Sequence, residues 1–191
     1  MTIAEQKAEI RKKLRSMRRE QDRYAATEAS DLICKRVMAL DEYKNAGVIL
    51  AYMAARGEVD VGELVRDAVS SGKKAAFPLC IENGGLKLLI PESLDSFTVG
   101  AYGILEPDPD KSTEISPKEL DLIIVPAVAY TECCARLGQG GGYYDRLLAK
   151  TDACSVGVGF DFQLLPSLPT ESHDRPLDYV VLLSNVFKHA E

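Results

Sequence analysis

Over the first twenty positions apolar residues return at helical spacing. Ile10, Leu14 and Met17 form a narrow seam on an otherwise charged segment, predicting a helix over about residues 3–20 that docks by that seam. Lys7, Arg11, Arg15 and Arg18 repeat at the same spacing. At about 100° per residue their stripe runs beside the seam, where side chains lean over the docking boundary toward any cleft there. Lys12, Lys13 and Arg19 point away and read as solvated, whereas for Lys7 and Arg11 a solvated face and a cleft-facing role are both open. A second helix is expected over about 22–40, with Ala29, Leu32, Ile33, Arg36 and Val37 on its inner face and the Asp41 region ending it.

The pattern then alternates between strand and helix. AGVILAYM reads as a buried strand, VDVGELVRDAVSSG as a helix closed by Gly72, and KKAAFPLC as the next strand, a βαβ unit that favours a parallel sheet covered on both faces. GGLKLLIPE is expected at a sheet edge, and the Gly-, Pro- and Asp-rich stretch 100–117 as a surface loop. KELDLIIVPAVAY is the clearest strand, followed by a YYDRLLAK helix and the strands CSVGVGF and LDYVVLLS. The expected architecture is a single α/β domain over 1–191: an open, mostly parallel sheet with helices on both faces and the basic N-terminal helix packed on it. Such sheets bind ligands at the carboxyl ends of their strands.

Composition narrows the function classes. With 191 residues, 46% of them hydrophobic and 27% charged, the chain has the make-up of a packed globular protein. A formal net charge of −6 argues against nucleic acid as a partner, although the first helix is locally basic. The apolar run LIIVPAVAY is too short to span a bilayer, and MTIAEQKAEIRKKLRSMRRE lacks the apolar core of a secretory signal, so a cytoplasmic location without membrane partners is expected. The five cysteines include no C-x-x-C pair and fit reduced thiols, the adjacent Cys133 and Cys134 reading as small buried hydrophobes. The oligomeric state stays open, a monomer included.

The densest chemistry is RLGQGGGYYDR, 136–146, which lies after a strand and opens a helix. A helix N-terminus offers unpaired N–H groups and positive dipole charge, and glycines let an anion approach them without Cβ interference. The string fits neither the P-loop nor the dinucleotide-binding spacing, so a flexible turn is the competing reading. Arg136 can fork onto a phosphate, and Asp145 can either ligate a hard cation such as Mg²⁺ or simply favour the helix dipole. With only two histidines, one of them His189 in the tail, a Ser-His-Asp hydrolase is hard to assemble.

Together with KAEIR at the N-terminus, YMAARGEVD after the first strand and YGILEP in the middle loop, this string resembles the 5-formyltetrahydrofolate cyclo-ligase (5,10-methenyltetrahydrofolate synthetase) family, over about residues 7–178. The resemblance implies an enzyme that uses Mg-ATP to close 5-formyltetrahydrofolate into 5,10-methenyltetrahydrofolate, releasing ADP and phosphate. It implies that Lys7 and Arg11 reach the ATP phosphates, that Arg136, Leu137, Gly138, Gln139, Gly140, Gly141, Gly142, Tyr143 and Tyr144 wrap them, and that Asp145 and Asp174 hold magnesium. Lys7 and Arg136 would stabilise charge in the reaction, with no covalent nucleophile. Met53, Glu58, Gln139 and Tyr143 match folate-contacting positions. Glu58 has a chemical case of its own, since a carboxylate can accept the paired N–H donors of a pterin ring; the alternative is an exposed acid preceding a helix. A non-catalytic folate or nucleotide binder is the competing reading from another class.

Overall fold

A computed structural model describes residues 1–81, 85–100, 103–171 and 174–190. In chain order the elements are α1 (Ile3–Arg19), α2 (Arg23–Ala39), α3 (Asp41–Asn45), β1 (Val48–Leu50), α4 (Gly62–Ser70), β2 (Lys74–Cys80), β3 (Leu86–Pro91), β4 (Phe97–Val99) and β5 (Leu105–Pro107). There follow β6 (Ser112–Ile115), β7 (Leu122–Pro126), β8 (Ala129–Tyr130), β9 (Arg136–Leu137), α5 (Tyr143–Leu148), β10 (Cys154–Val158), β11 (Tyr179–Val181) and β12 (Val186–Lys188). Thr2 and Glu5 form a reciprocal capping box at the start of α1, and Asp22 caps α2 by accepting from the Ala25 N–H. At Leu40 the backbone turns extended, so α2 stops and α3 starts as a separate short helix.

Eight strands join in the order β12-β11-β10-β7-β1-β2-β3-β6. The central run from β11 to β2 is parallel, and β12, β3 and β6 add antiparallel strands at the flanks. This is the mostly parallel α/β sheet expected. Its strands alternate between two cores because successive side chains point to opposite faces. Ile49, Leu122, Ile124, Val156 and Val158 pack with α2, α3 and α4, while Leu50, Ile123, Val125 and Val180 pack with Tyr130, Cys134 and the α5 residues Leu147 and Leu148. α1 lies apart from both, its Leu14 buried on Val128, Ala129 and Leu137, with Ile10 against the same cluster.

Several expectations are corrected. Met17 is 37% exposed, so the docking seam of α1 is Ile10 and Leu14 only. On α2, Leu32 is 49% exposed and Arg36 is exposed, while Ser30 and Cys34 are buried. The helix is rotated because both side chains serve the backbone ahead of α4: Ser30 Oγ accepts the Asp60 N–H and the Cys34 thiol donates to the Asp60 carbonyl. GGLKLLIPE contributes β3, which is not an edge strand, since β6 covers it with pairs such as Leu89 to Glu114. The stretch 100–117 thus contains β5 and β6 besides loop, both too short to show a period. Cys134 is buried as expected, but Cys133 is exposed. Among the described residues no helix is long and apolar enough to cross a membrane.

Tyr130 ties together the carboxyl ends of the neighbouring parallel strands β7 and β10. Its hydroxyl reaches the carbonyls of Val125 and Val158 at 2.8 and 2.9 Å, and its ring lies over Gly157 and Gly159. A Cβ on Gly157 would stand 2.5 Å from that ring and 2.7 Å from Leu177. Gly157→Ala is therefore expected to lower unfolding stability by about 1–3 kcal/mol, read as a lower urea midpoint with unchanged m-value.

Candidate active site

The chain runs from β1 to β2 on one side of the sheet and from β7 through β10 to β11 on the other, so direction reverses between β1 and β7. At the carboxyl ends of β2 and β7 the fold leaves a cavity of about 380 Å³. Pro78, Cys80, Leu86 and Pro126 give it an apolar wall; α1, the glycine loop and the segment before β11 supply the polar side. Every residue that the resemblance assigns to ATP or magnesium borders this one space: Lys7, Arg11, Arg136 through Tyr144, Asp145 and Asp174.

The loop needs its glycines for backbone reasons. Gly140 has φ +107° and Gly142, which precedes the first turn of α5, has φ +66°, conformations that side chains disfavour. Arginines take up the carbonyls that would otherwise repel an anion. Arg11 Nε donates to the Gly138 carbonyl at 2.8 Å, Arg15 Nη2 to the Gln139 carbonyl at 3.2 Å, and Arg146 Nη2 to the Gly141 carbonyl at 2.7 Å. Arg15 also holds the Gln139 side-chain oxygen through both Nε and Nη2. Burial, with the neighbouring charge of Arg15, draws the Arg11 pKa down.

The other cations face carboxylates. Lys7, only 7% exposed, places Nζ 2.8 Å from Glu171 and 2.6 Å from Asp174. Burial pulls its pKa down, but the hydrogen bonds and charges of Asp174 and Glu171 outweigh that and hold it above the ordinary lysine value. Buried Arg136 pairs through Nη2 with Asp145, while its Nε has no partner among the described residues. Asp145 and Asp174 thus border one cavity, each beside a cation. Among the described residues no three potential ligands cluster, so there is no all-protein metal cage; the donor set fits a magnesium ion carried in on phosphate oxygens, which needs only one or two protein carboxylates.

The folate-assigned residues divide. Gln139 and Tyr143 border the main cavity; Met53 opens instead on two smaller ones that share no lining residue with it, one with Ala55, Arg56 and Ile104, the other with Tyr52, Phe77 and Phe97. Glu58 lines none of these three spaces; its side chain, 15% exposed, accepts the Ala55 N–H at 3.2 Å and stands 3.5 Å from Arg18 Nη1. Burial raises its carboxyl pKa, against the charge of Arg18 and hydrogen bonds from Ala55 and the Gln139 side chain. Arg15, Arg18 and Glu171 carry contacts that sequence reasoning did not assign, although both arginines lie on the stripe it identified. Tyr102 of the YGILEP string, and Ser172 and His173 beside Asp174, lie outside the described residues.

The family model for 5-formyltetrahydrofolate cyclo-ligases matches residues 3–183. The chain belongs to that family. A probable 5-formyltetrahydrofolate cyclo-ligase of Schizosaccharomyces pombe is 33% identical over 174 residues, covering 82% of this chain and 85% of the relative. The 5-formyltetrahydrofolate cyclo-ligase of Escherichia coli K12 is 31% identical over 186 residues, 94% of this chain and 99% of the relative. The solved structure of Aquifex aeolicus 5,10-methenyltetrahydrofolate synthetase superposes with a TM-score of 0.86 at 32% identity, covering 97% of this chain and 93% of that one. This cyclo-ligase family member is thus an enzyme of the ligase class, and the family implies ATP as its co-substrate. Gly140→Ala is expected to strain the loop by about 1–3 kcal/mol, read as faster amide exchange over residues 138–144 with little change in the global melting temperature.

Proposed function

We propose that this chain closes 5-formyltetrahydrofolate to 5,10-methenyltetrahydrofolate at the expense of Mg-ATP, releasing ADP and phosphate. The observation that carries this is the gathering of Lys7, Arg11, Arg136, the glycine loop and two carboxylates around one cavity. The formyl oxygen of an amide is a poor nucleophile and a worse leaving group. Its attack on the γ-phosphorus, with loss of ADP, gives an iminophosphate. N10 then adds to the formyl carbon, the C–O bond breaks, inorganic phosphate leaves, and N10 loses its proton.

No covalent enzyme intermediate is needed. Phosphoryl transfer depends on positioning and charge stabilisation, for which Arg136 and Lys7 are the main groups, with Arg11 and the loop from Leu137 to Tyr144 holding the triphosphate. Asp145 and Asp174 would hold Mg²⁺, which neutralises charge on the phosphates when bound. Lys7 and Arg136 change partners in this scheme, from carboxylates to phosphate. Glu58 accepts the paired N–H donors of the pterin, and Met53 lines the apolar approach. Five unbridged cysteines suit a cytoplasmic setting.

The test is spectrophotometric, because the methenyl product absorbs in the near ultraviolet. Growth of that band requiring both ATP and Mg²⁺ is expected, with kcat reduced about 10²–10³-fold in Arg136→Ala. Glu58→Gln is expected to raise KM for folate about tenfold or more while leaving KM for ATP within about twofold. Tight folate binding by folded wild-type protein without turnover would replace the enzyme reading with that of a binder.

A further inference from the structure

Arg18 leaves the α1 stripe for the interior. Its side chain is 4% exposed; Nη2 donates to the Ala127 carbonyl at 2.7 Å, Nη1 faces Glu58, and Nε has no partner among the described residues. The chain around it is shaped to admit it. At Gly57, where φ is +75°, a Cβ would stand 3.0 Å from Arg18 Cγ and 3.1 Å from the Arg18 carbonyl oxygen. The Gln21 amide bridges the carbonyls of Arg18 and Gly57 at 3.1 and 3.4 Å. A buried ion pair is a weak source of stability, since desolvation offsets most of the attraction, so the fold gains little from keeping an arginine here.

The effect falls on Glu58. Arg18 from α1 and the Ala55 N–H from its own turn contact it; Arg56, the Gln139 side chain of the glycine loop, and the phenols of Tyr52, Tyr130 and Tyr144 act on it electrostatically. Burial pushes all three phenols above their ordinary range, so they stay neutral near pH 7 and add no charge. Burial drives the carboxyl toward its protonated form, and the guanidinium of Arg18 is the largest influence opposing it. A protonated Glu58 could no longer accept two N–H bonds.

We propose that Arg18 is a positioning residue that keeps Glu58 ionised and fixed for the ring of reduced folate, and so sets the acid edge of folate binding. This rests on the reading of Glu58 given above. Folate binding is full above the Glu58 pKa of the free enzyme and is lost as pH falls through it; removing Arg18 raises that pKa.

The experiment measures the affinity of the full-length protein for 5-formyltetrahydrofolate between pH 5 and 8.5, for wild type, Arg18→Met, Arg18→Lys and Glu58→Gln. One ligand throughout cancels its own titration. Arg18→Met is expected to move the acid midpoint upward by about 1–3 pH units, the usual effect of an opposite charge at this range, with ATP affinity within about twofold of wild type. Arg18→Lys restores most of the shift. An unmoved midpoint in folded Arg18→Met, with Glu58→Gln still weakening folate, overturns the proposal and leaves the Glu58 reading standing. Unchanged affinity in Glu58→Gln removes that reading and the proposal with it. Should Arg18→Met fail to fold, recovery of the fold in Arg18→Met/Glu58→Gln supports charge compensation between the two residues; failure of the double variant assigns Arg18 to the fold and overturns the proposal.

Discussion

The cations at helical spacing on α1, Lys7, Arg11, Arg15 and Arg18, are held by partners from widely separated parts of the chain: Glu171 and Asp174, the glycine-loop carbonyls, Ala127 and Glu58. α1 makes only a small apolar contact, centred on Leu14, so its orientation depends on these polar partners more than on burial. The same contacts fix the loop. The helix that completes the cavity is thus also the one that shapes its floor.

Arg136 is placed by a two-stranded hairpin tied to the main sheet. In the β8–β9 hairpin it pairs directly with Tyr130, whose hydroxyl is anchored between the ends of β7 and β10 and whose ring rests over Gly157 and Gly159. Position passes from a side chain locked in the core, across one antiparallel pair, to a buried guanidinium at the cavity. A two-residue strand can serve this purpose because its register is set by Tyr130 and not by its own length.

Local pattern made much of this legible. The βαβ core, the α1 stripe and the loop after β9 follow from periodicity and composition over ten to twenty residues at a time. β5, β6 and β12 did not show, because they are three or four residues long and, unlike β1 and β11, do not lie within a longer apolar run, so only register with a neighbour defines them. Leu32 looked interior because helical spacing cannot see that Ser30 and Cys34 serve the Asp60 backbone. Nor could spacing pair Lys7 with Asp174, 167 positions away, or reveal that Arg18 turns inward, since arginine on a charged helix is ordinarily solvated.

The pairing of Lys7 with Glu171 and Asp174, and of Arg136 with Asp145, has a thermodynamic consequence. Positive groups crowded into a half-closed space would repel one another and drive α1 off the sheet; internal counter-ions remove that strain before any polyanion arrives. On the proposed reading, ligand capture is an ion exchange between pre-neutralised partners. Its affinity should vary less with ionic strength than that of a bare basic surface, because few solution ions are displaced.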